Sequence, residues 1–127
     1  MKRFCDGGRG ASQRDAMLDG VGAQLERYMD LLTARQKLVS ANIANADTPG
    51  YHTQDLDFDA EMRNAAGGPP QAVDAPGLVV KNDGNNVSLD REARLLSENA
   101  LRFQIASGLM HTQITMVRSA IHEGQSG

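Results

Sequence analysis

The residues of this chain whose types could do chemistry are few, and their spacing limits what each can do. Asp55, Asp57 and Asp59 stand at alternate positions, as at the start of a calcium loop. Such a loop also needs glycine at its sixth place and glutamate at its twelfth; here those places hold Ala60 and Ala66. A solvated acidic edge is therefore expected. His52, His111, His122 and Cys5 lack zinc-ligand spacing, and His111, next to Met110, reads as a helix flank contact. Gly7-Gly8-Arg9-Gly10-Ala11-Ser12 has neither the Gly-Lys-Ser/Thr ending nor the preceding strand of a phosphate loop. No Ser-His-Asp or Cys-His set has motif context, and Asn86-Val87-Ser88 matches a glycosylation acceptor pattern that is common by chance. The methionines at 17, 29, 62, 110 and 116 read as packing. The chain is expected to be non-enzymatic, with no catalytic residue, no cofactor and no metal.

The most informative chemistry is that of amides. In Ala41-Asn42-Ile43-Ala44-Asn45-Ala46-Asp47-Thr48-Pro49-Gly50-Tyr51, two asparagines precede a Thr-Pro-Gly stop. Asn42 and Asn45 place donors and acceptors near the carbonyl-rich end of a helix. There they either satisfy unpaired carbonyls or bridge to a neighbouring chain. Pro49 lacks an amide hydrogen and pushes Thr48 out of the α region. Pro-Gly favours a type II turn with Gly50 at positive φ, and Tyr51 supplies a rigid amphipathic anchor after the bend. Asn42, Ile43, Asn45, Thr48, Pro49, Gly50 and Tyr51 are the candidate assembly motif.

Two long elements must position this corner. From Asp15 to about Ala46 apolar residues recur at helical spacing: Leu18, Leu25, Leu32 and Val39 lie seven apart, supported by Met29 and Ile43 and widened by Val21 and Tyr28. Gly22 and Gln36 weaken the second seam position. A cleaner heptad follows in Leu89, Leu96, Phe103, Met110 and Val117, with Ala93, Ala100, Ser107, Ile114 and Ile121 as the other series. Ser88 or Asp90 caps this second helix, with Glu92 favourable in its first turn. The expected divisions are an N-terminal arm over 1–14, a helix over 15–48, a middle segment over 49–88, a second helix over 89–122 and a polar tail over 123–127. Ser12 or Asp15 is the candidate cap of the first helix.

In the middle segment, residues 51–61 alternate as an extended strand or begin a short helix to about Asn64. Residues 65–77 hold three of the four prolines and read as a flexible loop. Leu78-Val79-Val80 is expected to pair with Val87-Ser88-Leu89 as a small hairpin across the turn formers at 81–86. The fold class is thus mainly α: long terminal amphipathic helices pairing as a coiled coil around a short irregular or hairpin middle. A two-helix pairing leaves apolar flanks uncovered, so oligomeric assembly is expected.

At 127 residues the chain is one domain at most, with 4% aromatics and no tryptophan. A net charge of −3 argues against a nucleic-acid binder. Residues 1–16 carry +2, from four basic and two acidic residues, which leaves −5 for the remainder. A single cysteine excludes an intrachain disulfide. Lys2 and Arg3 are followed by no apolar run of signal-peptide length, and no segment approaches the ~20 apolar residues of a membrane span. The chain is expected to stay in the cytosol or to leave it without a cleaved signal.

The helix–Ala-Asn-Ile-Ala-Asn-Ala-Asp-Thr-Pro-Gly-Tyr–acidic segment, with Asp83-Gly84-Asn85-Asn86-Val87-Ser88-Leu89-Asp90-Arg91-Glu92 and Glu98-Asn99-Ala100-Leu101-Arg102-Phe103-Gln104, resembles the bacterial flagellar basal-body rod proteins. The Asn-Ile-Ala-Asn-x-x-Thr-Pro-Gly-Tyr signature fixes only the wider group of axial proteins. The short chain, Asp55-Leu56-Asp57-Phe58 and Asn-Ala-Leu-Arg-Phe-Gln narrow it to the proximal rod protein of the FlgB type. The resemblance covers about residues 17–121. It implies a structural subunit of the proximal rod, serving motility, whose terminal helices pair into a helical, tubular assembly. It further implies type III export without signal cleavage, a periplasmic place in the basal body, and partners among its own copies, other rod proteins and the export apparatus. No nucleic acid, small-molecule substrate or transmembrane segment is implied. Residues 65–88 would form a small outer or disordered portion. The alternative is an independent coiled-coil adaptor or secretion-chaperone-like module.

Overall fold

The computed structural model describes residues 9–64 and 66–126. The elements are α1 (Arg9–Ala44), β1 (Gln54–Leu56), α2 (Phe58–Arg63), β2 (Ala72–Asp74) and α3 (Leu89–Ser126). The fold is mainly helical, with the two long helices lying antiparallel: Asn42 meets Glu92 at one end, and Gln113 meets the Leu18 carbonyl towards the other. With 36 and 38 residues each spans about 55 Å.

Both helices run further than their heptads suggest. Helix α1 begins at Arg9, so positions 12 and 15 lie inside it rather than capping it, and of the expected arm only residues 1–8 remain, outside the described residues. Ala11, Gln13, Arg14 and Ala16 are good helix formers that outweigh Gly10. Helix α3 passes through the expected tail to Ser126, because Glu123 and Gln125 favour the helix around Gly124. Ser88 is its cap, with Oγ accepting the Arg91 amide at 3.3 Å.

The small sheet is not where the hairpin was expected. β1 pairs antiparallel with β2, Asp55 opposite Val73, inside the Gly/Pro-rich stretch. Residues 78–80 and 87–89 form no strands. Asn85 and Asn86 turn their side chains inward onto the corner, and Asn85 Oδ1 accepts the Val87 amide at 2.8 Å, a group the ladder would need; Val79 and Val80 are left exposed. Residues 51–61 take both expected forms in turn, β1 and then α2. Asp57 caps α2 by accepting the Ala60 amide at 3.1 Å.

The core sits where α1 meets α3 and the middle segment. Leu31, Leu32, Val39, Leu56, Val87 and Ala106 are buried. On its other face α1 holds α2: Tyr28 meets Phe58 edge-on at 5.4 Å, Arg35 lies 5.8 Å over the same ring, and Arg27 pairs with Glu61 at 2.9 Å.

Candidate assembly site

The corner after α1 is built from hydrogen bonds that cross long stretches of sequence. Asn42 is 0% exposed and uses every lone pair and hydrogen of its amide. Its Nδ2 donates to the Gln54 carbonyl at 2.8 Å and to Glu92 Oε1 at 2.6 Å; its Oδ1 accepts from the Tyr51 hydroxyl at 2.9 Å and the Gln54 amide at 3.0 Å. One asparagine therefore ties the end of α1, the post-turn segment and the first turn of α3. Glu92, also fully buried, accepts from Arg91 at 2.7 Å through its other oxygen. Arg91 reaches on to Asp55 Oδ2 at 2.5 Å, and Arg35 grips the same carboxylate at 2.9 and 3.0 Å.

Asp55 is thus no solvated edge; it is buried between two guanidinium groups. Burial pushes its carboxyl up, but hydrogen bonds from Arg35, the Leu56 amide and Arg91, with the Arg35 charge, outweigh that and hold it below the ordinary value. Tyr51 shifts the other way: burial and then the Glu92 charge raise its phenol.

Asn45 does what a helix-end amide was expected to do. Its Nδ2 donates to the Ala41 carbonyl at 2.8 Å, and its Oδ1 accepts from the Thr48 hydroxyl at 3.0 Å. Two carbonyls of this corner are met as well from about forty residues away: Asn85 Nδ2 donates to Asn45 O at 2.9 Å and Thr48 O at 2.8 Å. The Tyr51 amide returns to Thr48 O at 3.2 Å, and Gly50 has φ +75, a type II turn. Gly84, at φ +86, backs onto this turn so closely that a Cβ on it would lie 3.2 Å from Gly50 Cα. Residues 83–87 are therefore the far wall of the corner, not a loose outer portion, with Asn85, Asn86 and Val87 buried.

The motif residues divide. Asn42, Asn45, Thr48 and Tyr51 are joined to one another or to the 85–92 segment, whereas Ile43, Pro49 and Gly50 face outward. The expected seam divides too. Leu32 and Val39 are buried, Leu18, Leu25, Met110 and Val117 are half-buried, and Leu96, Phe103, Ile114 and Ile121 are exposed. The face of α3 turned to α1 carries Glu92, Asn99, Ala106 and Gln113. Glu92, Asn99 and Gln113, with Asp55, Arg35, Arg91 and Asn85, escaped the heptad reading because polar residues were counted as solvent-facing; Ala106 escaped it with the row it belongs to. The signal present was their own seven-residue recurrence from 92 to 113.

Helix α3 consequently shows apolar surface on both sides of its buried row. On one side lie Leu89, Leu96, Phe103, Ile114 and Ile121; on the other Leu101, Ile105, Leu109 and Met116 are all more than half exposed. An open groove of about 480 Å³ runs beside the first, lined by Leu32, Lys37, Leu96, Ala100 and Phe103 among others. Among the described residues no three metal-ligating side chains gather.

Known proteins similar to this chain form one family. The flagella basal body rod protein family pattern matches residues 29–52, the end of α1 and the corner. The flagellar basal body rod protein FlgB of Salmonella typhimurium is 31% identical, over 85% of this chain and 99% of that protein. That of Cereibacter sphaeroides is 33% identical, over 80% and 91%, and that of Escherichia coli 29% identical, over 85% and 99%. The chain belongs to the FlgB family of flagellar basal body rod proteins, structural and non-enzymatic components of the bacterial flagellum.

Proposed function

We infer that this subunit joins the rod by laying the two exposed apolar sides of α3, with the outer face of α1, against helices of neighbouring subunits. The observation that carries this reading is the two-sided exposure of α3. Leu101 and Ile105, on the side away from the groove, are 57% and 56% exposed. A helix that pairs with one partner needs a single apolar stripe; one seated between neighbours needs two. The Asn42–Tyr51 corner serves assembly by fixing the angle at which α1 ends and by presenting Ile43 outward.

Its partners in this reading are copies of itself and adjoining rod proteins. The resemblance to rod proteins also supports passage through the flagellar type III export apparatus without signal cleavage and a periplasmic position in the proximal rod. No helix among the described residues is long and apolar enough to cross a membrane. An adaptor or chaperone role has no observation in its favour.

The test is to place Ile105→Glu and Leu109→Glu, singly and together, in cells lacking their own copy, and to purify basal bodies. Both positions face away from α1, so the corner and the helix pairing should survive. The expected outcome is soluble protein, absent or truncated rods and loss of motility. Normal rods carrying two buried glutamates would contradict the reading.

A further inference from the structure

The pairing of α3 with α1 runs against simple burial. Along the inward row, Glu92, Asn99, Ala106 and Gln113 follow at seven-residue steps, and all are buried. Leu96 and Phe103, only about 40–60° further round at ~100° per residue, stay 39% and 41% exposed beside the groove. A modest turn of α3 about its axis would carry both inward and close that groove. Hydrophobic burial favours the turn, so something must hold the polar row inside.

Two amides do so. Asn99 Nδ2 donates to the Leu32 carbonyl at 2.9 Å, and Gln113 Nε2 donates to the Leu18 carbonyl. Donors and acceptors are each fourteen residues apart (113 − 99 and 32 − 18), so both bonds form in the same relative placement of the helices. Each acceptor lies within α1, where a carbonyl has a second lone pair to offer beyond the helical bond. Turning α3 would break both bonds at once and leave buried amides unpaired. Ala106, at the step between them, has no side chain long enough to form a bond or to resist the fit.

The geometry points to Asn99 and Gln113 as positioning residues that select which face of α3 meets α1, keeping the Leu96–Phe103 side from being sealed inside its own subunit. The use of that side by neighbours rests on the assembly reading above; the selection of the face does not. A buried polar residue at a seam position is a known means of specifying helix pairing at a cost in stability.

The experiment uses the full chain with Cys5→Ser and a reporter at Ala100→Cys, which lines the same groove as Leu96 and Phe103 and leaves both intact. The rate of reaction with a small thiol reagent is compared with and without Asn99→Ala/Gln113→Ala, with helical content followed by circular dichroism. Alanine keeps the helix and removes only the amides. The reporter should react about tenfold more slowly in the alanine variant, as expected of a group protected by local packing. An unchanged rate in a helical variant overturns the proposal. If the double variant loses its helical signal, Asn99→Ala alone carries the same comparison. Loss of helix there as well also overturns it, since the amides would then hold the pairing itself rather than choose its face. Motility of the alanine variant separates the two readings. A variant with the reporter protected that still builds rods supports face selection and refutes the use of that side in assembly.

Discussion

Asn42 shows how much one side chain can organise when all its hydrogen-bonding capacity is used internally. Replacement by alanine strands the Gln54 amide, the Tyr51 hydroxyl and the buried Glu92 carboxylate together. Asn42→Ala should therefore cost about 2–4 kcal/mol, whereas Asn45→Ala, losing local bonds at a half-exposed site, should cost about 0.5–1 kcal/mol. Urea denaturation of the two variants measures the difference. Asp55 adds a pH signature. Its folded carboxyl gives up its proton more readily than the unfolded value of 3.8. Its contribution is thus present above that value and is lost as pH falls through the lower folded value. Asp55→Asn should lower stability at neutral pH and flatten the acid limb of a stability–pH curve; an unchanged limb would remove the Arg35–Asp55–Arg91 cluster from the account. The amides at the helix end were legible from sequence, because helix-end chemistry is local. Their partners were not: Glu92 and Asn85 lie 50 and 40 residues from Asn42 and Asn45, and only the fold brings them together. Asp55 read as solvated for the same reason, with Arg35 and Arg91 20 and 36 residues away.

At the scale of elements, period and punctuation carried far. Heptad recurrence gave both long helices, and Thr48-Pro49-Gly50 gave the turn that the Thr48–Tyr51 hydrogen bond closes. Ends were harder, since propensity beyond the last apolar residue extends α1 back to Arg9 and α3 on to Ser126. The strand pairing was misplaced because Asn85 and Asn86 look like turn formers yet act as buried cross-links. Gly84 tests how tightly this wall is set. Gly84→Ala introduces a Cβ 3.2 Å from Gly50 Cα at φ +86, and should cost more than about 1 kcal/mol. Gly20→Ala, in α1 with open space around it, should instead stabilise by up to about 1 kcal/mol. Thermal melts of the pair give opposite signs if the corner is as closely packed as described. The inward face of α3 was the least legible element of all, because a rule that sends apolar residues inside cannot anticipate a polar row retained there.

For the whole molecule the decisive property is incompleteness. Two helices about 55 Å long meet along one row and leave apolar sides uncovered, while the hydrogen bonds that fix their geometry concentrate at one end. The corner should therefore hold in a single copy, and the distal turns should depend on neighbours for their order. Helical content and sedimentation, followed together from dilute to concentrated solution, test this most directly. The account predicts a monomer at low concentration with an ordered corner and frayed distal helices, gaining helix as it self-associates. A monomer that is fully helical at every concentration and melts in one cooperative step would contradict it.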